Sequence, residues 1–210
     1  FDVLSILEKE ITLFFSSLAA CITLGVFLLT TGLFLWVFPD SSILENGYAN
    51  LDGLFAITPY TFMFLIPAIT MRAIAEEQRE GTFELLATRP ITDWELILGK
   101  YFACLVVVLF ALIPTLIYYI SVYQLGVNKG NIDTGAIIGS YIGLFLLGGA
   151  FTAIGIFASS TSRNQIVAFI VAVFLCFFAF SGFDAISQIL SLQAIAPYLS
   201  ALSINEHYQS

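Results

Sequence analysis

Residues 76–100 read EEQREGTFELLATRPITDWELILGK, the one strongly charged island in an otherwise apolar chain. The island joins two hydrophobic runs, so it must project from whatever buries those runs, as a compact polar element. Arg72, Glu76 and Arg79 stand at i, i+4 and i+7, the spacing of a paired stripe on a helix that continues out of the preceding run. Gly81 is expected to break or bend that helix, because glycine costs about 1 kcal/mol relative to alanine in a helix interior. Residues 82–88 then form a short transverse helix, with Phe83, Leu85 and Leu86 apolar and Glu84 polar. Pro90 ends it, since the residue before a proline avoids the α region. Thr92 and Glu95 have the spacing of a capping box and restart a helix that passes through Gly99-Lys100 into the next run.

Outside the island the composition is that of a membrane protein. The 210 residues are 59% hydrophobic and 15% aromatic, with a mean hydropathy of +0.96, too little polar surface to cover a water-facing globule. A spanning helix takes about 20 apolar residues. Five stretches qualify: residues 18–38, 54–71, 101–123, 135–160 and 166–183. The expected fold is therefore all-α and polytopic, one transmembrane domain over residues 1–210. Pro67 and Pro114 fall inside spans, where neighbours can satisfy the freed carbonyls, so kinks are expected there rather than breaks.

Orientation follows from the basic residues. A cytosolic N-terminus puts Lys9, Arg72, Arg79, Arg89, Lys100 and Arg163 inside and leaves Lys129 outside; the rule counts Lys and Arg, so the net charge of −8 is no objection. Ahead of the first span, Leu4, Leu7, Ile11, Phe14 and Leu18 recur at helical spacing while Glu8, Lys9 and Glu10 gather elsewhere on the wheel. Residues 1–17 thus read as an amphipathic helix in the cytosolic interface, or else as an extension of the first span. Residues 184–210 have amphipathic stretches but no span of sufficient length, and are expected outside as a re-entrant or amphipathic segment.

Several functions are excluded or weakened. No Asp, Glu, Lys, Arg or His sits at mid-membrane depth, which argues against an ion-coupled carrier. His207 is the one histidine and lies in the exterior tail, so nucleophile–histidine catalysis has no base and a His-based metal site fails. Cys21, Cys104 and Cys176 lie within apolar runs without metal-ligand spacing. Glu76-Glu77 fails the EExxxR pattern of CAAX-type intramembrane proteases, because Arg is at 79 and position 81 is Gly. Gly99-Lys100 lacks the upstream glycine of a P-loop. Neither a catalytic residue, a metal nor a cofactor of its own is expected, nor a nucleic-acid partner.

Two features remain. In the fourth span Gly139, Gly143, Gly148, Gly149 and Gly155 form a row of small residues, either a packing seam, within the subunit or across a dimer, or a pore-lining face. In the island, Glu76, Glu80 and Glu84 are like charges at i, i+4 that repel unless a basic surface meets them. With its apolar residues, the segment fits a helix seated in a partner's groove; the plainer reading is a solvated loop capping two helices.

The island also carries a resemblance. REGTFELLATRP at residues 79–90, followed by Leu98-Gly99-Lys100, is similar to the cytosolic segment E-x-G-T-(apolar)-E-L-L-x-(S/T)-x-P, with its Gly-Lys helix end, of ABC-2 type exporter permeases. The amphipathic N-terminal helix and the turn SSTSRNQ at residues 159–165 match as well. Residues 4–11, 14–17 and 32–38 and the closing INEHYQS more narrowly resemble the gliding-motility-associated permeases of Bacteroidota. The resemblance implies that residues 72–100 are a coupling segment seated in a separate ATPase subunit, which alone binds ATP and Mg. It places the coupling on Glu80, Gly81, Thr82 and Glu84, with Glu76, Arg79 and Pro90 in support. It further implies a second permease subunit, identical or different, and a bacterial inner membrane. Six spans are normal for that family, so a sixth helix is expected beyond Ser210 and an incompletely covered chain at Phe1. The rival readings are a membrane scaffold that recruits an ATPase or motility component, and a stand-alone channel.

Overall fold

The computed structural model describes residues 2–38, 51–81, 92–125 and 134–182, together with Ile204 and Tyr208. These residues form helices joined by short turns, with no strand among them. The order is α1 (Asp2–Ser16), α2 (Leu18–Trp36), α3 (Asp52–Thr70), α4 (Ala75–Glu80), α5 (Asp93–Leu112), a 3-10 turn (Ile113–Thr115), α6 (Leu116–Leu125), α7 (Thr134–Ser160) and α8 (Gln165–Phe177), which runs into a π turn (Phe178–Gly182).

Four helices among the described residues are long and apolar enough to cross a membrane: Asp52–Glu80, Asp93–Leu125, Thr134–Ser160 and Gln165–Gly182. A fifth span results when the bent pair Val3–Ser16 and Ala20–Trp36 is taken as one. The outward faces of the spans are largely apolar. Ile22, Val26 and Leu29 on α2, Phe102, Leu109 and Phe110 on α5, and Ile166, Ile170 and Phe174 on α8 are all exposed. In water such patches drive aggregation; in a bilayer they are ordinary. The chain is an all-α, multi-pass membrane protein.

The α1–α2 pair turns by 72° at Ser17, where the backbone is extended (φ −86°, ψ 128°). The change follows the sequence, because the charges of α1 give way at Leu18 to an unbroken apolar run that has no polar face to keep at an interface. Pro67 is absorbed within continuous α3. Pro114 instead tightens the chain into the 3-10 turn, where Thr115 Oγ1 donates to the Leu112 carbonyl at 2.6 Å and Tyr141 of α7 donates its hydroxyl to the Thr115 carbonyl at 3.1 Å. A neighbouring helix thus ties down the chain just after the proline.

The core gathers on α3, whose Phe62 and Ile66 are fully buried among Val108 of α5, Leu144, Leu147 and Phe151 of α7, and Phe180 of the π turn. Close approach comes from glycine. A Cβ at Gly148 would lie 2.8 Å from Val108 Cγ1, and one at Gly155 would overlap the Thr70 side chain of α3. Of residues 184–210 only Ile204 and Tyr208 are described; Tyr208 donates its hydroxyl to the Phe55 carbonyl of α3 at 3.1 Å.

Candidate functional site at the charged end of the bundle

The charged island begins where α3 ends. Residues 71–74 form turns instead of continuing the helix, and α4 starts afresh at Ala75. Its N-cap residue, Ile74, has no side chain able to accept from the first amides. That task falls to Ser159 at the end of α7. The Ser159 hydroxyl accepts from the backbone N–H of Ile74 and of Ala75, both at 3.1 Å, and donates to the Met71 carbonyl at 3.1 Å. A buried serine from a distant helix thus caps α4 in trans and closes the break behind it. Gln78 Nε2 adds a 3.4 Å bond to the Ser160 carbonyl.

The same break rearranges the expected charge stripe. Arg72 and Glu76 do not form an ion pair, although the Glu76 N–H still reaches the Arg72 carbonyl at 3.4 Å. Arg72 Nη1 instead reaches Ser17, at the α1–α2 bend, at 3.3 Å. Both line a cavity of about 130 Å³ whose wall also includes Glu10, Phe14 and Glu76. Arg79 and Glu80 are exposed on α4.

Gly81 closes α4 in the left-handed region, at φ 72° and ψ 7°, with its N–H donating to the Glu77 carbonyl. An L-residue pays about 1–2 kcal/mol to sit there, so the break expected at Gly81 has a definite backbone geometry. Thr82, Glu84 and Pro90 lie outside the described residues. The chain is described again from Thr92, where the capping box is formed: Glu95 N–H donates to Thr92 Oγ1 at 3.3 Å and Thr92 N–H to Glu95 Oε2 at 2.9 Å.

One turn further on, Gly99 and Lys100 receive α1. A Cβ at Gly99 would lie 2.8 Å from Ile6 Cγ2 and 3.4 Å from the Val3 carbonyl, so only glycine lets α1 lie this close to α5. Lys100 is 1% exposed, yet its Nζ is 2.8 Å from Glu10 Oε1 of α1 and 3.0 Å from Glu77 Oε1 of α4. Lys9 Nζ stands 3.6 Å from the same Glu77 oxygen. Sequence reasoning used Lys9 and Lys100 for orientation, Lys9 for the polar face of residues 1–17 and Lys100 in the resemblance, and gave Glu10, Glu77 and Ser159 no role at the site. The available signal was a lysine opening an apolar run directly after a glycine.

The glycine row of α7 divides. Gly148 faces Val108, and Gly149 faces Tyr101, whose hydroxyl lies 3.0 Å from an added Cβ and bonds the Gly149 carbonyl at 3.3 Å. Gly139 meets nothing within 4 Å among the described residues, and Gly143 meets the Tyr208 ring at 3.6 Å. These last two line a recess of about 1000 Å³, together with Ser140, Tyr60 and Asp52.

Comparison with known proteins gives the arrangement a context. A family model described as "ABC-2 family transporter protein" matches residues 38–204. Two curated relatives, each named "Probable multidrug ABC transporter permease YbhR", from Escherichia coli strain K12 and Escherichia coli O157:H7, are 27% identical over 145 residues. The match covers 65% of this chain and 38% of the length of each relative.

Proposed function

The chain belongs to the ABC-2 transporter family, a family of membrane permeases, and from that premise we propose that it is the permease subunit of an ATP-driven exporter, powered by a separate ABC ATPase. The observation that carries the proposal is the anchoring of the charged island at both ends. Ser159 of α7 holds the start of α4, and Lys100 at the head of α5 holds Glu77 within it. A solvated loop gains nothing from such anchorage, whereas an element that receives force from a partner transmits it only through fixed points.

In this reading the ATPase binds ATP and Mg, and its closure pushes the segment of Glu80, Gly81, Thr82, Glu84 and Pro90, with Glu76 and Arg79 in support. Two permease copies, identical or different, form the path between them. Gly139 and Gly143 border the large recess and are placed beside that path, while Gly148 and Gly149 hold α7 to α5. The membrane is the bacterial inner membrane, with the N-terminus and the charged end in the cytosol. The names of the relatives make multidrug cargo one candidate class, and the resemblance to Bacteroidota permeases makes a link to gliding motility the narrower assignment. The test is whether an ABC ATPase co-purifies with the protein from its native membrane through contacts that reversal of Glu80 and Glu84 removes.

A further inference from the structure

We propose that Lys100 is a positioning residue that locks the amphipathic helix α1 to α4, so that α1 moves with the coupling segment. The inference rests on the exporter reading above and adds a moving part to it. Lys9 and Glu10 of α1, Glu77 of α4 and Lys100 of α5 make a cluster of two cations and two carboxylates from three separate elements. The formal charges cancel within the cluster.

Two physical arguments give the cluster a mechanical role. First, taking an ammonium group out of water is costly, and two charge-assisted bonds at 2.8 and 3.0 Å roughly offset that cost. Well-packed apolar side chains in place of the whole cluster would hold the fold as well, so the cluster contributes register between helices more than net stability. Second, α1 has little else to fix it to α4. Its Leu4 and Leu13 are exposed, its contact with α5 at Gly99 is a smooth apolar one, and Arg72 reaches only Ser17 beyond its end. The described polar links between α1 and α4 run through Glu77, directly from Lys9 and by way of Lys100 from Glu10. A displacement of α4 therefore pulls on α1 through ionic contacts that tolerate little slip.

The test uses the whole permease–ATPase complex in lipid nanodiscs, with Cys21→Ser to remove the exposed native thiol. Spin labels go on exposed positions, Leu4 of α1, Arg79 of α4 and Ile166 of α8 as the reference. Distances are read with and without a non-hydrolysable ATP analogue. In the otherwise native protein both Leu4 and Arg79 shift against Ile166. In Lys100→Met the Arg79 shift persists and the Leu4 shift is lost; Lys100→Arg, which keeps the charge, restores it. Glu77→Gln, which leaves Lys100 paired with Glu10, gives the same loss as Lys100→Met and covers the case in which that variant fails to fold. If Arg79 shifts but Leu4 stays still in the native protein, or if Leu4 still shifts in both variants, the lock is wrong and the exporter reading stands. If Arg79 itself does not shift, the exporter reading fails and the lock falls with it.

Discussion

Gly81 is the position at which backbone geometry alone is expected to govern function. It sits at φ 72° and ψ 7°, and among the described residues nothing lies within 4 Å of a Cβ built on it. Among the described residues a side chain there meets no steric obstacle, which leaves the conformational penalty, about 1–2 kcal/mol for an ordinary L-residue. At 1.4 kcal/mol per tenfold, that lowers the population of the observed turn by about 5- to 30-fold. Asparagine, which tolerates the left-handed region, loses least; alanine loses more; valine, β-branched, loses most. Because α4 is a single short helix ahead of an exposed turn, the loss redirects the coupling segment and leaves the bundle intact. ATP-driven flux in liposomes holding permease and ATPase should fall in the order Gly, Asn, Ala, Val, with Gly81→Val abolishing transport, while the amount of protein inserted stays constant. Full flux in Gly81→Val, or flux and insertion declining together, refutes the reasoning.

Gly155→Ala should destabilise the α3–α7 contact by about 1–3 kcal/mol, the cost of overpacking, because the new methyl overlaps Thr70. Thermal unfolding in detergent should show that loss, and Thr70→Ala in the same protein should recover at least half of it. Ser159→Ala leaves two buried amides and a carbonyl without their partner, and should lower unfolding free energy by about 1–3 kcal/mol. Hydrogen exchange of Ile74 and Ala75 should accelerate in that variant before exchange elsewhere in the core.

The features that the sequence made legible are those decided by neighbours in the chain. The capping box at Thr92 and Glu95 involves residues three apart, and the break after α4 needs only Gly81. The all-α membrane architecture is equally local, since each span is its own apolar run. What the sequence did not disclose depends on distant partners. Lys100 meets Glu10 across 90 positions, and Ser159 caps α4 across 84 and 85. The Arg72–Glu76 pair does not form because Arg72 reaches Ser17, 55 positions away in the chain. The glycine row was visible as a composition, but which neighbour each glycine faces is a property of packing. Gly155, against Thr70, makes the closest approach of the five.

The central claim, that this permease draws its energy from a separate ATPase seated on the charged island, is tested most directly by purification from the native membrane in mild detergent. The native protein and a Glu80→Lys/Glu84→Lys double variant are compared, and co-purifying proteins are identified by mass spectrometry. The account predicts an ABC ATPase with the native protein and its loss from the variant, with both permeases present in equal amount. An intact native protein that brings down no ABC ATPase, or an ATPase retained equally by the variant, would contradict it.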